Sequence, residues 1–304
     1  MSGSPCVCNA GFVPNPNGAG CVQEQYTLSV LQDPQPDVEP GSTRDVVVKV
    51  ENAKSEPKSG ARVSLKVDVD ESSGGHAHGG ADRDKGSLSG ATCDPPEKYC
   101  ATATTDANGY ASFTFKAPAV SGEHTVTAAC VNPACTNTDT GKINVKVAGL
   151  IQIPSEPSIY ALIGGEADKK HHDNHYLTDN ALSQLVVVAI NYHFLYPNEP
   201  VLHLNDASLV WGGLFDKDGD WDTPHAGHRR GTVIDIRANT APGNIPESRF
   251  TDFKDLVAKV KIKQAGRMIS AQAKLHCSDG FDPTTKCVGD DNRHYHVILL
   301  GVDQ

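Results

Sequence analysis

The sequence of 304 residues has no excess of positive charge, since 27 lysines and arginines face 37 aspartates and glutamates for a net charge of −10. Proteins that bind nucleic acid through its phosphates need the opposite balance, so this function is disfavoured. No apolar run approaches the roughly 18 to 20 residues that a membrane-spanning helix requires. The G-x-S-x-G, P-loop and G-x-G-x-x-G motifs are also absent, so serine-hydrolase, nucleotide and dinucleotide chemistry find no support.

The composition disfavours a helical bundle. The chain holds only 2 methionines and 6% aromatic residues, whereas it has 28 glycines and 19 prolines. This bias towards turn-forming residues favours a β-rich architecture. The length allows two domains, each with its own core.

The cysteines lie mostly as close pairs in loop-like sequence, not in the repeated C-x-x-C pattern of a zinc ribbon. We therefore predict disulfides and a secreted, cell-surface or periplasmic location. No signal peptide precedes the first cysteine, so we expect the leader to lie outside this sequence, and residues 1–4 are typical of a cloning remnant. The nine cysteines are Cys6, Cys8, Cys21, Cys93, Cys100, Cys130, Cys135, Cys277 and Cys287.

Residues 1–24 contain a segment that resembles the end of an EGF-like module. The string from Cys6 to Phe12 (CVCNAGF) precedes Cys21, and the module has a glycine and an aromatic residue after its fifth cysteine. The resemblance implies that Cys8 pairs with Cys21 and that the partner of Cys6 lies upstream of this sequence. A disordered tail with fortuitous cysteine spacing is the alternative.

Residues 25–148 alternate short β-branched strings with turns. In Val46–Val50 and Val63–Val67 apolar side chains recur at every second residue, so one face of each strand must be buried. Seven strands in about 120 residues predict a β-sandwich. The predicted strands are Tyr26–Leu31, Asp45–Glu51, Ala61–Val69, Ala101–Thr105, Tyr110–Lys116, His124–Ala129 and Ile143–Val147.

The string from Thr105 to Thr114 (TDANGYASFT), followed by Gly122–Ala128, resembles the bacterial immunoglobulin-like domains of surface and secreted proteins. Such modules are usually spacers or adhesive stalks. Local bridges between Cys93 and Cys100 and between Cys130 and Cys135 are plausible, but sequence alone leaves the connectivity open. The loop Ser72–Gly80 carries His76 and His78, and we expect a mobile Gly-rich loop there, with a surface metal site as the alternative.

Residues 149–304 have a different pattern, which a linker at about 148–155 introduces. Asn180–His193 is long enough for a helix with Asp179 as its N-cap, although its consecutive valines also suit a buried strand. A second helix is predicted over Asp252–Gln264, ended by Gly266. The predicted strands are Pro200–Asn205 and Tyr295–Leu300. Mixed helices and strands imply an α+β domain.

Two histidine-rich strings carry the candidate chemistry: residues 225–236 (HAGHRRGTVIDI) and 291–297 (DNRHYHV). Hydrolytic zinc takes three protein ligands of histidine or carboxylate type and leaves one position for water. His228, Asp235 and His296 can supply that set. In a strand, His294 would lie on the same face as His296, beside the open position.

This pattern, His-x6-Asp followed by a C-terminal His-x-His, resembles the LAS group of zinc peptidases, which includes lysostaphin-type enzymes and D-Ala-D-Ala peptidases. The penicillin-insensitive murein endopeptidases are the most similar members, and the resemblance extends to Leu202–Asp206 and Gly212–Phe215. It implies that Zn²⁺ is bound by His228, Asp235 and His296, that His294 assists proton transfer, and that His225 supports the metal site or faces substrate.

The chain departs from the endopeptidases at two positions near the metal. They carry serine where this chain has Gly227, and histidine where it has Asp291. Both departures bear on the choice of substrate, and the second also bears on the rate.

The predicted architecture is multidomain: an all-β immunoglobulin-like sandwich over 25–148, followed by an α+β LAS-type zinc domain over 149–304. The resemblance implies a secreted peptidase that hydrolyses an amide bond in peptidoglycan peptides or in an extracellular protein. Hedgehog signalling domains resemble the same fold and hold zinc without an established role in hydrolysis. A non-catalytic, zinc-stabilised adhesion or recognition module is therefore the alternative.

Three further strings are open to two interpretations. Asp216–Asp222 resembles half of a calcium loop, but Gly227 stands where the distal glutamate is required, so we expect a solvated loop near the site, with Ca²⁺ as the alternative. For His171–His175 we expect a polar loop, with an accessory metal cluster as the alternative. Trp211 and Trp221 suit either a substrate groove or the core. A bridge between Cys277 and Cys287 would hold the strand of His294 and His296 in register.

Overall fold

The computed structural model describes residues 7–9, 11–17, 19–31, 37–80, 83–166, 169–216, 219–221, 226–239, 241–277, 280–281 and 292–300. Within them lie two separate hydrophobic cores, one built from residues between Tyr26 and Val145 and the other from residues between Ile153 and Leu300. Most regular structure is β-strand, as the turn-rich composition predicts.

A short antiparallel hairpin precedes the first core. It consists of β1 (Phe12–Pro14) and β2 (Cys21–Gln23). A disulfide joins Cys8 to Cys21, which confirms the predicted pairing. Cys6 lies outside the described residues.

Two sheets pack face to face over the first core and form the sandwich. Along the strand that contains Val46, Val48 and Val50, these three side chains are buried, because alternate residues of a strand point to opposite faces. The first sheet has the order β3 (Tyr26–Leu31), β5 (Thr43–Asn52), β10 (Tyr110–Lys116) and β7 (Ser87–Leu88). The second has the order β4 (Asp37–Val38), β12 (Asp139–Val145), β11 (Gly122–Asn132), β6 (Arg62–Val69), β9 (Cys100–Thr104) and β8 (Ala91–Thr92).

All seven predicted strands of the sandwich are present, and the largest change of bounds is in the last one, which covers Asp139–Val145 instead of Ile143–Val147. The short strands β4, β7 and β8 were not predicted, because two residues are too few to show an alternation. Disulfides join Cys93 to Cys100 and Cys130 to Cys135. Disulfides persist in oxidising compartments, which fits an extracellular or surface protein.

The second core lies between one face of a mixed sheet and two helices. The sheet has the order β14 (Tyr160–Leu162), β16 (Leu202–Leu204), β17 (Val233–Arg237), β22 (His294–Ile298), β20 (Gln272–Cys277) and β21 (Gly280–Phe281). The helices are α1 (Asp179–Leu195) and α2 (Phe250–Lys259). Two further pairs of strands are β13 (Leu150–Gln152) with β15 (Tyr176–Thr178), and β18 (Lys261–Gln264) with β19 (Arg267–Ser270).

Four sequence predictions for this half need correction. The linker is partly ordered, because β13 pairs with β15. The apolar segment is a helix and not a strand, and Thr178 is its N-cap, so Asp179 is its first residue. Helix α2 ends at Lys259, and Gly266, at φ +81°, makes the turn of the hairpin that follows. The last strand is His294–Ile298 rather than Tyr295–Leu300.

The two halves contact each other directly through their backbones. The N–H of Leu214 donates to the carbonyl of Ala119 (2.9 Å), and the N–H of Val147 donates to that of Trp211 (2.9 Å). Gly213 has a φ of +76°, and a Cβ there would lie 2.8 Å from the Ala119 oxygen, so only glycine permits this approach. No helix in the described part of the chain has the length and apolar character needed to cross a bilayer.

Candidate metal centre

Sheet register brings the predicted zinc ligands together. Asp235 on β17 lies opposite His296 on β22, and their neighbours Ile234, Ile236 and Tyr295 point to the other face, into the helical core. His228 comes from a 3₁₀ helix over Ala226–Arg230 that precedes β17. Gly231 makes the turn between them at a φ of +66°, and a Cβ there would lie 2.3 Å from Leu150 Cδ2.

We call His228, Asp235 and His296 the first cluster. Their donor atoms all lie within 4.8 Å of one another. His296 Nδ1 is 3.0 Å from Asp235 Oδ1, and His228 Nε2 is 3.4 Å from Asp235 Oδ2. All three residues are buried. Two imidazoles and one carboxylate are ligand types that Zn²⁺ prefers, so the donor set fits the metal that the sequence predicts.

The charges in the first cluster favour an ionised carboxylate next to a cation. Burial by itself would raise the pKa of Asp235, but the positive charges of His228 and His294 outweigh it and hold the pKa well below its usual range. Burial by itself would lower the pKa of His228, but the charge of Asp235 raises it instead. A buried anion of this kind requires a positive partner.

His294 lies beside the first cluster and faces it through one nitrogen. Its Nε2 is 3.4 Å from Asp235 Oδ2, while its Nδ1 is 2.8 Å from the carbonyl oxygen of Asn292. A carbonyl only accepts, so Nδ1 carries the hydrogen in the neutral ring, and Nε2 keeps its lone pair. The side chain is 21% exposed, so it is accessible from solvent.

Sequence reasoning missed His276, which belongs to the same group of rings. It lies on β20 directly opposite His294, and the two rings stack with centroids 5.6 Å apart. The His296 ring centroid is 5.0 Å away. Burial, followed by the charges of His296 and His294, lowers the pKa of His276 to about 4. An isolated histidine carries no motif, and only the strand pairing reveals its position.

Sequence reasoning also missed Arg293, which anchors the start of β22. The side chain is buried, its Nε donates to the Ala238 carbonyl (2.7 Å), and its Nη1 donates to Glu247 Oε1 (2.6 Å). The guanidinium also lies 4.8 Å from the centroid of the Phe250 ring. These contacts fix the backbone immediately before His294.

Three predicted site residues, His225, Asp291 and Cys287, lie outside the described residues. Cys277 takes part in a disulfide, and its pairing with Cys287 stays a prediction. So does the calcium alternative, since Asp218 and Asp222 also lie outside the described ranges.

Three predictions about polar segments hold only in part, because the structure places loops there but buries some of their side chains. His76 is 1% exposed, which contradicts a mobile loop over Ser72–Gly80. His171 is 4% exposed, so its segment is not simply a polar loop, and Asp216 is fully buried, so the acidic string is not solvated at this residue. The Trp221 ring packs against the rings of His76 and His78, while Trp211 is half-buried.

No model of a known protein family matches the chain, and no curated protein matches it. Among solved structures it is similar to the adhesin InvE of Yersinia pseudotuberculosis, at 16% identity over 46% of this chain and 31% of that one, with a TM-score of 0.26. It is also similar to FdeC, an Escherichia coli adhesin, at 17% identity over 45% and 37% of the two chains, with a TM-score of 0.24. Domains 4 and 5 of the S-layer protein SbsC are similar at 11% identity over 43% and 53%, with a TM-score of 0.24. Similarity at this level concerns the fold alone.

Proposed function

We propose that the protein is a zinc-dependent peptidase whose first cluster binds the metal and hydrolyses an amide bond in peptidoglycan peptides or in an extracellular protein. The observation that carries the proposal is the convergence of His228, Asp235 and His296, with His294 beside them. Three ligands leave a zinc ion one position for water, whereas a structural site fills all four. When bound, zinc lowers the pKa of water to roughly 7 and polarises the scissile carbonyl.

His294 is the proton-transfer group of this proposal. Its Nδ1–H bond to the Asn292 carbonyl holds the ring so that the lone pair of Nε2 points towards Asp235 and the metal position. From there Nε2 can accept a proton and return it to the leaving amine. Without metal, the positive charges of His228 and His294 keep Asp235 ionised. With zinc bound, the ion itself would be the positive partner of this carboxylate.

The second candidate is a non-catalytic adhesion or recognition module in which zinc stabilises the fold. The observation that favours it is the sandwich, which takes up residues 26–145 and contains two disulfides but no part of the first cluster. Modules of this type are usually spacers or adhesive stalks. Under this proposal the first cluster would bind zinc and hydrolyse nothing.

Incubation of the pure full chain with murein fragments and with a peptide library, with and without chelator, separates the two candidates. We expect cleavage that the chelator abolishes and that zinc restores. His228→Ala and Asp235→Asn should lose metal from the first cluster and activity together. His203→Ala is the matched control, since this histidine lies on the same sheet and is bound to Asn244 instead of to the cluster. Stoichiometric zinc with no cleavage of any substrate would support the recognition module.

A further inference from the structure

A second group of metal-ligating side chains lies between the two halves of the molecule. His76 and His78 belong to the sandwich, in the loop that follows β6, whereas His171 and Asp216 belong to the second half. We call these four residues the second cluster. No spacing motif links them, and the fold alone brings them together.

The donor atoms of the second cluster converge at short distances. His171 Nε2 lies 3.3 Å from His76 Nδ1, 3.1 Å from His78 Nε2 and 2.9 Å from Asp216 Oδ1. His76 Nδ1 lies 3.3 Å from Asp216 Oδ1, and His78 Nε2 lies 3.4 Å from Asp216 Oδ2. Ligand atoms at about 2.0–2.1 Å from a tetrahedral zinc ion are about 3.3 Å apart, which matches these separations.

Hydrogen bonds alone do not account for this geometry. An imidazole nitrogen carries at most one hydrogen, so His171 Nε2 can donate to only one of its three neighbours. If that nitrogen carries no hydrogen it can only accept, so in either form at least one of its three contacts at 2.9–3.3 Å is left without a hydrogen bond in a buried space.

The surroundings close the second cluster to solvent. The Trp221 ring covers His76 and His78 at centroid distances of 5.0 and 4.4 Å. The backbone N–H of Trp221 donates to Asp216 Oδ2 (2.8 Å). The buried Arg83 donates to the carbonyls of Glu71 (2.6 Å) and Ser121 (2.8 Å), which fixes the loop that carries the two histidines.

The backbone joins the same two segments. The N–H of Ala77, between the two sandwich histidines, donates to the carbonyl of Lys170, the residue before His171 (2.8 Å). The two loops are therefore held in register next to the donor atoms. This hydrogen bond keeps the two ligand-bearing segments side by side.

We propose that the second cluster binds Zn²⁺ through all four residues and that the ion clamps the sandwich to the second half of the chain. Four protein ligands complete a tetrahedral shell, which is the arrangement of a structural site. The first cluster has three ligands and a partly exposed histidine beside it, so the two sites differ in kind. This inference does not depend on whether the first cluster hydrolyses a substrate.

The test is the zinc content of the purified full chain, measured by elemental analysis. We expect two zinc ions per chain in the wild type, one in His228→Ala and one in His76→Ala. The double variant should retain none. His172→Ala is the matched control, because this neighbour of His171 is half-exposed and pairs only with Asp173 and the Lys169 carbonyl within the described contacts.

Cobalt substitution in the His228→Ala background reports directly on the ligands of the second site, which a measurement of folding does not. Tetrahedral Co²⁺ absorbs visible light strongly, and the spectrum should vanish when His171→Ala is added. The proposal would be overturned if the wild type held one zinc ion and His228→Ala held none. This comparison does not need the His76 variant, so it remains informative if that variant fails to fold. Failure of peptidase activity with two zinc ions present would instead count against the proposed function alone.

Discussion

The first and second clusters use the same kinds of side chain in opposite ways. The first combines two histidines and an aspartate from one sheet and the turn before it, and a third histidine beside them is 21% exposed. The second combines three histidines and an aspartate from loops of both halves, and no side chain in it exceeds 9% exposure.

Under the two proposals, the number of ligands and their surroundings decide what a buried group of histidines and aspartate does. An incomplete shell with a base at its edge suits chemistry, because substrate and proton need access. A complete shell behind a tryptophan suits stability, because the free energy of metal binding adds to that of folding. The sandwich therefore contributes two ligands to the joint between the halves and none to the first cluster.

The largest expected effect distinguishes His294 from the ligands of the first cluster. His294→Ala should lower kcat by roughly 10² to 10⁴-fold, which is the usual contribution of a general acid or base, while the zinc content stays unchanged. Steady-state kinetics together with elemental analysis check both parts. Equal loss of metal in His294→Ala and Asp235→Asn would contradict the separation of roles.

Next in size is the effect of the second cluster on stability. In a His228→Ala background only the second site holds zinc, and zinc at 1,000 times its Kd stabilises the folded state by about 4 kcal/mol. Chelator should therefore lower Tm in this background, and addition of His171→Ala should produce the same decrease without chelator. Calorimetry measures both, with His172→Ala as the control. A Tm that does not respond to chelator would rule out a structural metal.

A buried histidine outside both clusters, His124, should make stability depend on pH and not on metal. His124 lies in the sandwich against Phe115, and burial lowers its pKa to about 4 from 6.5. As pH falls through this window the unfolded chain binds a proton that the folded chain does not, so stability is lost by up to ~3 kcal/mol. His124→Gln should remove this part of the pH dependence, as measured by urea unfolding between pH 7 and pH 4.

The control for the acid effect is His172→Gln, since that side chain is 38% exposed. Its pH profile should match that of the wild type. If the stability of His124→Gln also depends on pH as that of the wild type does, protonation of the buried His124 ring does not destabilise the folded state.

Local patterns explain why the first cluster could be predicted. His228 and Asp235 lie within one short string, and His294 and His296 within another, so each half of the site is visible as a motif. The pairing of Asp235 with His296 then needs only that both strings form neighbouring strands. His276 escaped prediction because its role depends on the register of a third strand.

The second cluster could not be predicted either, because it depends on tertiary contacts and not on a local motif. The sequence drew attention to His76, His78, His171 and Asp216 in three unrelated strings, each with an unremarkable interpretation. Their meeting depends on how the halves dock, through contacts such as that of Gly213 with Ala119. The second helix was predicted to run too far, to Gln264, for a more local reason. Lys261–Gln264 is the first strand of a hairpin, and only the structure shows its turn.

The smallest expected effect concerns Arg293, and it tests whether strand β22 is stabilised by packing and hydrogen bonds or by a bound metal ion. Arg293→Met removes the donors to the Ala238 carbonyl and to Glu247, and a buried acceptor left without its partner costs about 1–3 kcal/mol. The loss should be the same with and without chelator, because Arg293 supports β22 through packing and hydrogen bonds. Arg267→Met, in the exposed part of the β18–β19 hairpin, is the control and should change the urea midpoint little. If Arg293→Met is destabilised only while metal is present, strand β22 depends on the ion. Metal would then stabilise the fold at both clusters, and the two would differ only in how strongly it does so.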